Sequence, residues 1–191
     1  MAAIEKATRM ARQSLAYVQD HARSVLDRVD PQALDDFVNA LTQARRVFVY
    51  GTGRSGLVAR AFGVRLAHLG YTTYVIGETI TAPVHAKDLV VLVSGSGETY
   101  PVVMTAEIAR DIGAKVCVLT ARPASRLAQH ADVLLRLDAD VEDEAKRARL
   151  APLGTIFEVS AWLLLDGVVG DLMNRRNQTE EMMRQRHATL E

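Results

Sequence analysis

The sequence predicts an α/β protein, a doubly wound five-stranded parallel sheet flanked by helices, with extra helices at both chain ends. Five short apolar runs alternate with helical segments along the chain. The runs lack polar alternation, which is typical of parallel strands buried on both faces. Glycine- and hydroxyl-rich turns follow two of them, at the edge where such sheets bind ligands.

Two helices are predicted before the sheet, within residues 1–44. Apolar residues recur three and four positions apart over residues 11–29, which places them on one helical face. Asp30 suits an N-cap and Pro31 the first position of the second helix.

The sheet core is predicted over residues 46–137. Helices are expected at 55–70 and 100–112, because the first segment ends at Gly70, and the second has Pro101 in its first turn and Gly113 just past its end. A short helix is expected at 124–131. The predicted strands are 46–50, 72–76, 88–94, 115–120 and 132–137.

Beyond the sheet, residues 138–150 are highly charged and are predicted to form a loop or exposed turn. Helices follow at 154–174 and 178–188, within the C-terminal segment 154–188. The first is apolar on almost every side, so it is central to the fold or packs against another subunit. A homo-oligomer is therefore expected, and one domain is expected for all 191 residues.

Composition narrows the function classes. The chain has 23 basic and 23 acidic residues, so no strongly basic face for nucleic acid is expected. Cys117 is the sole cysteine, which excludes an intramolecular disulfide and favours a reducing cytoplasm. Residues 1–10 lack the apolar core of a signal peptide, and the longest apolar region, 159–169, is too short to span a membrane. The expectation is a soluble, cytoplasmic protein without membrane or nucleic-acid partners.

Two loops at predicted strand ends are candidate anion sites: "YGTGRSGLV" at 50–58 and "SGSGET" at 94–99. Both precede helices, whose free N–H groups and dipole favour a negative ligand. Helix capping accounts for one hydroxyl per helix but not for three in six residues, so phosphate is favoured. The hydroxyls belong to Ser55, Ser94, Ser96 and Thr99.

A dinucleotide site is the rival interpretation. Gly51, Gly53 and Gly56 spell G-x-G-x-x-G, and Glu78 follows the next strand at the distance expected of a ribose-binding acid. A single fingerprint is a weak signal, the chain has no room for a separate catalytic domain, and the second loop stays unexplained. A Walker loop is excluded because Leu57 replaces its lysine.

The segments "GTGRSG" and "LVVLVSGSGETYPVV" resemble the sugar isomerase (SIS) domain family, whose Ser-x-Ser-Gly-x-Thr loop holds a sugar phosphate. "APLGTIFEVS" and the terminal "RHATLE" resemble the 6-phospho-3-hexuloisomerases within it. The resemblance implies a cofactor-free enzyme, commonly a tetramer. It implies interconversion of D-arabino-3-hexulose 6-phosphate and fructose 6-phosphate, in the ribulose monophosphate route of formaldehyde fixation. The implied substrate-binding residues are Gly53, Arg54, Ser55, Ser94, Gly95, Ser96 and Thr99.

Such a carbonyl shift needs a base at carbon and donors at two oxygens, and it needs neither metal nor redox cofactor. The five histidines show no metal-ligand spacing. Glu158, which opens the long apolar helix, is the first candidate for the base. Thr155 and Glu158 also match a capping box, and the residues alone favour neither role. The resemblance favours the base.

His187 is the second catalytic candidate. From its position it is a solvent-facing residue near the chain end, but the resemblance implies that this tail reaches a neighbouring subunit's site and shuttles a proton there. Glu98 is interpreted as an acidic residue at a helix start, not as catalytic. An isomerase of another sugar phosphate, such as arabinose 5-phosphate, and a non-catalytic sugar phosphate sensor remain alternatives.

Overall fold

A computed structural model describes the backbone of residues 2–190 and the side chains of residues 8–190. Its strands are β1 (Val47–Gly51), β2 (Thr73–Val75), β3 (Leu89–Val93), β4 (Lys115–Thr120) and β5 (Val133–Arg136). Its helices are α1 (Ala2–Asp27), α2 (Pro31–Gln43), α3 (Gly53–His68), α4 (Tyr100–Ile112), α5 (Glu144–Leu150), α6 (Thr155–Arg175) and α7 (Glu180–Arg184), with a 3₁₀ turn at Ala128–His130.

The five strands form one parallel sheet in the order β2-β1-β3-β4-β5, which confirms the predicted fold class. After β1 the chain turns outward to β2, and after β3 it turns the other way to β4. Gly51 lies opposite Val93 in the register, so the loops that follow β1 and β3 leave the sheet side by side. Their crevice is the topological switch point of the sheet, the place where ligands of open α/β sheets bind.

Both faces of the sheet are covered, which explains why the strands lack polar alternation. Phe37 of α2, Phe62 of α3 and Leu165 of α6 belong to the apolar layer on one face. On the other face, Val102 and Ala106 of α4 belong to one apolar cluster with Phe48 and Leu92. The central strand β3 is buried along its whole length.

The segment predicted as a charged loop is partly wrong, because α5 lies inside it. Three local features stabilise this short helix. The Asp143 carboxylate accepts a hydrogen bond from the N–H of Lys146 as an N-cap, Arg147 pairs with Glu144, and Leu150 is buried. The high charge of the segment concealed Leu150, the one residue of the segment that is buried.

Several element bounds also differ from the prediction. The last helix is α7, only five residues long, because the chain turns at Gln185 rather than continuing to 188. The predicted helix at 124–131 is reduced to the 3₁₀ turn, and α6 is displaced by one residue at each end.

The all-round apolar character of α6 has two structural sources. Its inner face packs in the core through residues such as Leu164 and Val168, whereas Trp162 and Leu163 are 44% and 50% exposed. In the described part of the chain, no single helix is long and apolar enough to span a membrane. Only α5 and α6 taken together have the length and composition of a membrane-spanning segment, and the two helices meet at a bend of 67°.

Candidate active site

Two glycines where β1 passes into α3 are required by close packing. A Cβ on Gly51 would lie 2.7 Å from the carbonyl oxygen of Val93, and one on Gly56 would lie 2.6 Å from the carbonyl oxygen of Gly51. These contacts let α3 start directly against the strand ends. Gly53 differs, since its φ of 55° is left-handed and, apart from its own stretch of backbone, no described atom lies within 4 Å of the Cβ position. Open space therefore faces Gly53, where a ligand could approach the backbone.

The loop after β3 brings three hydroxyl groups together. The Ser94 and Ser96 hydroxyl oxygens lie 3.3 Å and 3.5 Å from that of Thr99. Ser94 also accepts a hydrogen bond from the N–H of Gly97, and Ser96 accepts one from the N–H of Glu98. The hydroxyl groups are thus gathered at the start of α4.

Helix capping does not explain these hydroxyls. Thr99 is the N-cap residue of α4 and Thr52 that of α3, yet neither side chain makes a capping hydrogen bond within the described residues. Ser55 is half-buried and lies in the first turn of α3, directly after Arg54. Both helix starts therefore present N–H groups and hydroxyls to one crevice, which is the chemistry of an oxyanion site.

Glu158 does not form the capping box. Gly154 is the N-cap of α6, so Thr155 is already helical, and its hydroxyl donates to the carbonyl oxygen of Pro152 at 2.6 Å. The Glu158 carboxylate instead pairs with the guanidinium of Arg54, from the first turn of α3. The side chain of Glu158 is 12% exposed and that of Arg54 is 64% exposed. The capping alternative is wrong, and the base role of Glu158 stays a prediction.

Phe157 links the start of α6 to the loop after β3. A Cβ on Gly95 would lie 2.9 Å from Cδ1 of Phe157, so Gly95 gives the ring its place against the loop. This contact and the Arg54–Glu158 pair bring the two loops and the helix start together. Sequence reasoning missed Phe157, and the only signal for it was its position next to Glu158.

Two depressions in the surface lie beside these loops and the start of α6. A groove of about 260 Å³ is lined by Arg54, Leu57, Glu158 and Trp162, among others. A cavity of about 510 Å³ is lined by residues that include Gly95, Ser96, Gly154 and Phe157. The volume of the cavity is within the range of small-molecule sites. Since the Glu158 carboxylate would lie 3.4 Å from a Cβ on Gly154, it is close to the cavity as well as the groove.

Within one chain, His187 does not lie near the two loops and Glu158. Its ring stacks on that of His68 with centroids 5.0 Å apart, and Arg186 donates to the carbonyl oxygen of His68. His68 is the last residue of α3, and the loop after β1 leads into the first turn of the same helix. A helix of this length spans about 22 Å. A catalytic role for His187 therefore requires a second copy of the chain and stays a prediction.

Glu98 is the one acidic residue within the loop after β3, and its charge is compensated. Its carboxylate accepts hydrogen bonds from the backbone N–H of Arg126 at 3.0 Å and from Nε of Arg126 at 2.6 Å. These two bonds hold the pKa of Glu98 below its ordinary value. Arg126 was missed, because nothing in the sequence relates residues that lie 28 positions apart.

The fingerprint acid Glu78 pairs with Arg60 of α3. Among the described side chains, no three His, Cys, Asp or Glu residues are grouped as they would be to hold a metal ion. Cys117 is buried in β4, and that burial raises the pKa of its thiol to about 12.

Comparison with known proteins identifies the family. The sequence model of the SIS domain matches residues 40–156, a segment that includes both loops. The chain belongs to the SIS domain family. The resemblance seen in the loop motifs is thereby confirmed.

Named relatives narrow the activity. The chain is 35% identical over 179 residues to the 3-hexulose-6-phosphate isomerase of Mycobacterium gastri, covering 93% of this chain and 90% of the relative. It is 33% identical over 165 residues to that of Bacillus subtilis, covering 85% and 89%. A Methanococcus jannaschii crystal structure, from which a 3-hexulose-6-phosphate isomerase function was inferred, superposes with a TM-score of 0.83 at 30% identity, covering 94% and 99%. These relatives support a sugar phosphate isomerase of the SIS family.

Proposed function

We propose that this SIS protein is a cofactor-free isomerase that interconverts D-arabino-3-hexulose 6-phosphate and D-fructose 6-phosphate. The observation that carries the proposal is the position of Glu158. Its mostly buried carboxylate lies beside Gly154, and Gly154 lines the cavity that Gly95 and Ser96 of the loop after β3 also line. The relatives named 3-hexulose-6-phosphate isomerase support the choice of substrate. The pathway proposed with it is the ribulose monophosphate route of formaldehyde fixation.

The hydroxyl loop suits the phosphoryl end of the sugar. Ser94, Ser96 and Thr99 provide neutral donors, and the start of α4 adds the positive end of a helix dipole. Gly53 and Ser55 border the same crevice from the start of α3. Anchoring one end of the sugar holds its carbonyl carbons in a fixed position relative to the base, which lowers the entropic part of the barrier.

Glu158 is the proposed carbon base. In the forward direction it takes the proton from C2 of the 3-ketose, and the electron pair of that bond forms the 2,3-enediolate. The same carboxylic acid then returns a proton to C3, while a proton moves from the C2 oxygen to the C3 oxygen, which leaves a 2-ketose. Arg54, paired with Glu158 and largely exposed, has further N–H donors for the developing oxyanion.

Transfer between the two oxygens is assigned to His187 of a neighbouring copy, since in its own chain this ring stacks on His68. A homo-oligomer, a tetramer by family resemblance, is therefore part of the proposal. The exposed apolar residues Leu57, Trp162 and Leu163 lie beside Glu158, where a second copy would bury them and exclude water from the base.

Proton NMR in heavy water tests the reaction directly. With fructose 6-phosphate, we expect deuterium to enter at C3 and a 3-keto sugar phosphate to appear. Deuterium at C1 would instead indicate aldose–ketose chemistry, and binding without any exchange would indicate a sugar phosphate sensor. Supplying arabinose 5-phosphate in a parallel sample tests the other isomerase activity considered from the sequence.

A further inference from the structure

The cavity beside the hydroxyl loop has a cationic residue that the family motifs do not contain. Gly95 and Ser96 line one side of this cavity of about 510 Å³, and Gly154 and Phe157 line another. Arg122, two residues past the end of β4, lines it as well. Arg122 and Ser96 therefore border the same space.

The backbone around Arg122 is fastened to the hydroxyl loop. The N–H of Ala121 donates to the carbonyl oxygen of Gly95 at 3.1 Å, and the hydroxyl of Thr120 donates to the same oxygen at 3.3 Å. The N–H of Arg122 in turn donates to the Thr120 hydroxyl oxygen at 3.1 Å. The segment that carries Arg122 thus keeps a fixed position relative to Ser96.

Most other charges around the site are already paired. Arg54 pairs with Glu158 and Arg126 with Glu98. Around the cavity, two further ion pairs join Arg147 to Glu144 and Arg136 to Asp138. Among the side chains of residues 8–190, Arg122 has no carboxylate within ion-pair distance, and it is exposed. The cavity therefore has one uncompensated positive charge, next to the hydroxyl loop.

We propose that Arg122 binds the phosphoryl group of the substrate and supplies the full positive charge that the loop of neutral hydroxyls lacks. This inference rests on the proposed sugar phosphate function. A phosphoryl group has a charge of about −1.5 to −2 near neutral pH, whereas a helix start offers only about half a positive charge. A guanidinium group donates two parallel hydrogen bonds to phosphate oxygens, which also fixes the orientation of the group.

Calorimetric binding of fructose 6-phosphate and of inorganic phosphate tests this assignment without reference to turnover. Arg122→Gln should weaken both ligands roughly tenfold or more, the usual effect of losing a charge-assisted hydrogen bond. It should also lessen the salt dependence of binding, since one cation no longer contributes. Arg122→Lys should retain part of the affinity, because the charge is kept and the bidentate geometry is lost.

Arg149→Gln is the matched control. Arg149 is an exposed cation of α5 outside the cavity, so its loss removes the same charge without removing a ligand contact. We expect wild-type affinity for this variant, and unchanged melting temperatures for both glutamine variants. In turnover assays, Arg122→Gln should raise KM with little change in kcat, the pattern of lost uniform binding.

Three results would overturn the inference. If Arg122→Gln binds fructose 6-phosphate like wild type while Ser96→Ala binds it weakly, Arg122 is no ligand and the proposed function stands. Equal weakening for unphosphorylated fructose would assign Arg122 to the sugar hydroxyls instead. If the wild-type protein binds no phosphosugar, the proposed function fails and this inference fails with it.

Discussion

Two arginine–carboxylate pairs lie at opposite ends of the same sheet, and they differ in their number of hydrogen bonds and in the exposure of the arginine. At the amino end, Asp88 accepts hydrogen bonds from Nε and Nη2 of Arg46 at 3.0 Å and 2.5 Å and from the N–H of His85 at 2.8 Å. The Asp88 side chain is fully buried and that of Arg46 is 13% exposed. At the carboxyl end, Glu158 has one contact from Arg54, whose side chain is 64% exposed.

This difference separates a structural ion pair from one available for catalysis. Every oxygen of Asp88 is committed, and Arg46 also donates to the carbonyl oxygen of Pro83, so neither partner can leave without stranding a buried charge. Arg54 can exchange Glu158 for water or a ligand at a smaller cost than Arg46 could exchange Asp88, because its largely exposed guanidinium is already solvated. Glu158 keeps its nearly buried position in either case, as a positioned base requires.

The largest expected effect is the loss of turnover in Glu158→Gln, a substitution that keeps the size of the side chain and removes the base. We expect kcat to fall by roughly 10²–10⁴-fold, the usual contribution of general base catalysis, while fructose 6-phosphate still binds. The measurement is the rate of deuterium entry at C3. Unchanged exchange would show that the carbon base lies elsewhere and that the carboxyl-end pair is structural like the other.

The second prediction concerns Asp88→Asn, which removes the charge and leaves Arg46 without its partner. Breaking a buried pair in this way costs about 3 kcal/mol of unfolding free energy. For a protein of this size that corresponds to a melting temperature lower by about 10 °C, with kcat unchanged because the pair is at the far end of the sheet. A loss of activity at equal stability would contradict the structural role.

The pH dependence of that loss provides an internal check. Burial opposes ionisation of Asp88, but the hydrogen bonds from Arg46 and from the backbone N–H of His85 outweigh it, and the pKa of Asp88 is lowered. A carboxyl group with a lowered pKa stabilises the fold fully above its unfolded pKa and loses that effect as the pH falls through its folded pKa. The stability difference between wild type and Asp88→Asn should therefore be constant near neutrality and shrink below about pH 4.

The sequence predicts the sheet and its strands far better than it predicts the ion pair between Arg54 and Glu158. Continuous apolar runs such as residues 89–93 determine both the strands and their burial, so the sheet and its loop edge follow from local pattern. The pairing of Arg54 with Glu158 joins residues 104 positions apart and depends on how α6 packs beside α3. No local sequence pattern predicts how these two helices pack against each other. For the same reason a capping box was a fair interpretation of Thr155 and Glu158 until the N-cap proved to be Gly154.

Thr99→Val should have a smaller effect, confined to binding. Its hydroxyl lies within 3.5 Å of both Ser94 and Ser96 but makes no capping hydrogen bond, so removing it should leave the melting temperature nearly unchanged. We expect KM for fructose 6-phosphate to rise roughly tenfold, as for one hydrogen bond to a charged group. Thr105→Val is the control, since that hydroxyl donates to the carbonyl oxygen of Pro101 on the same helix. Equal KM changes in the two variants would remove Thr99 from the site.

Arg54→Gln should have only a small effect on stability, and it is the sharpest test of the comparison. An ion pair with an exposed partner contributes about 0–1 kcal/mol, so the melting temperature should fall by no more than about 4 °C. Turnover should fall all the same, because the variant removes a donor for the enediolate oxygen. Asp88→Asn should show the opposite pattern, unstable but active. The contradicting result is an Arg54→Gln variant that is as unstable as Asp88→Asn and retains its kcat. In that case the exposure of the arginine would not separate a structural ion pair from a catalytic one. Arg54 would then hold α6 in place and take no part in the reaction.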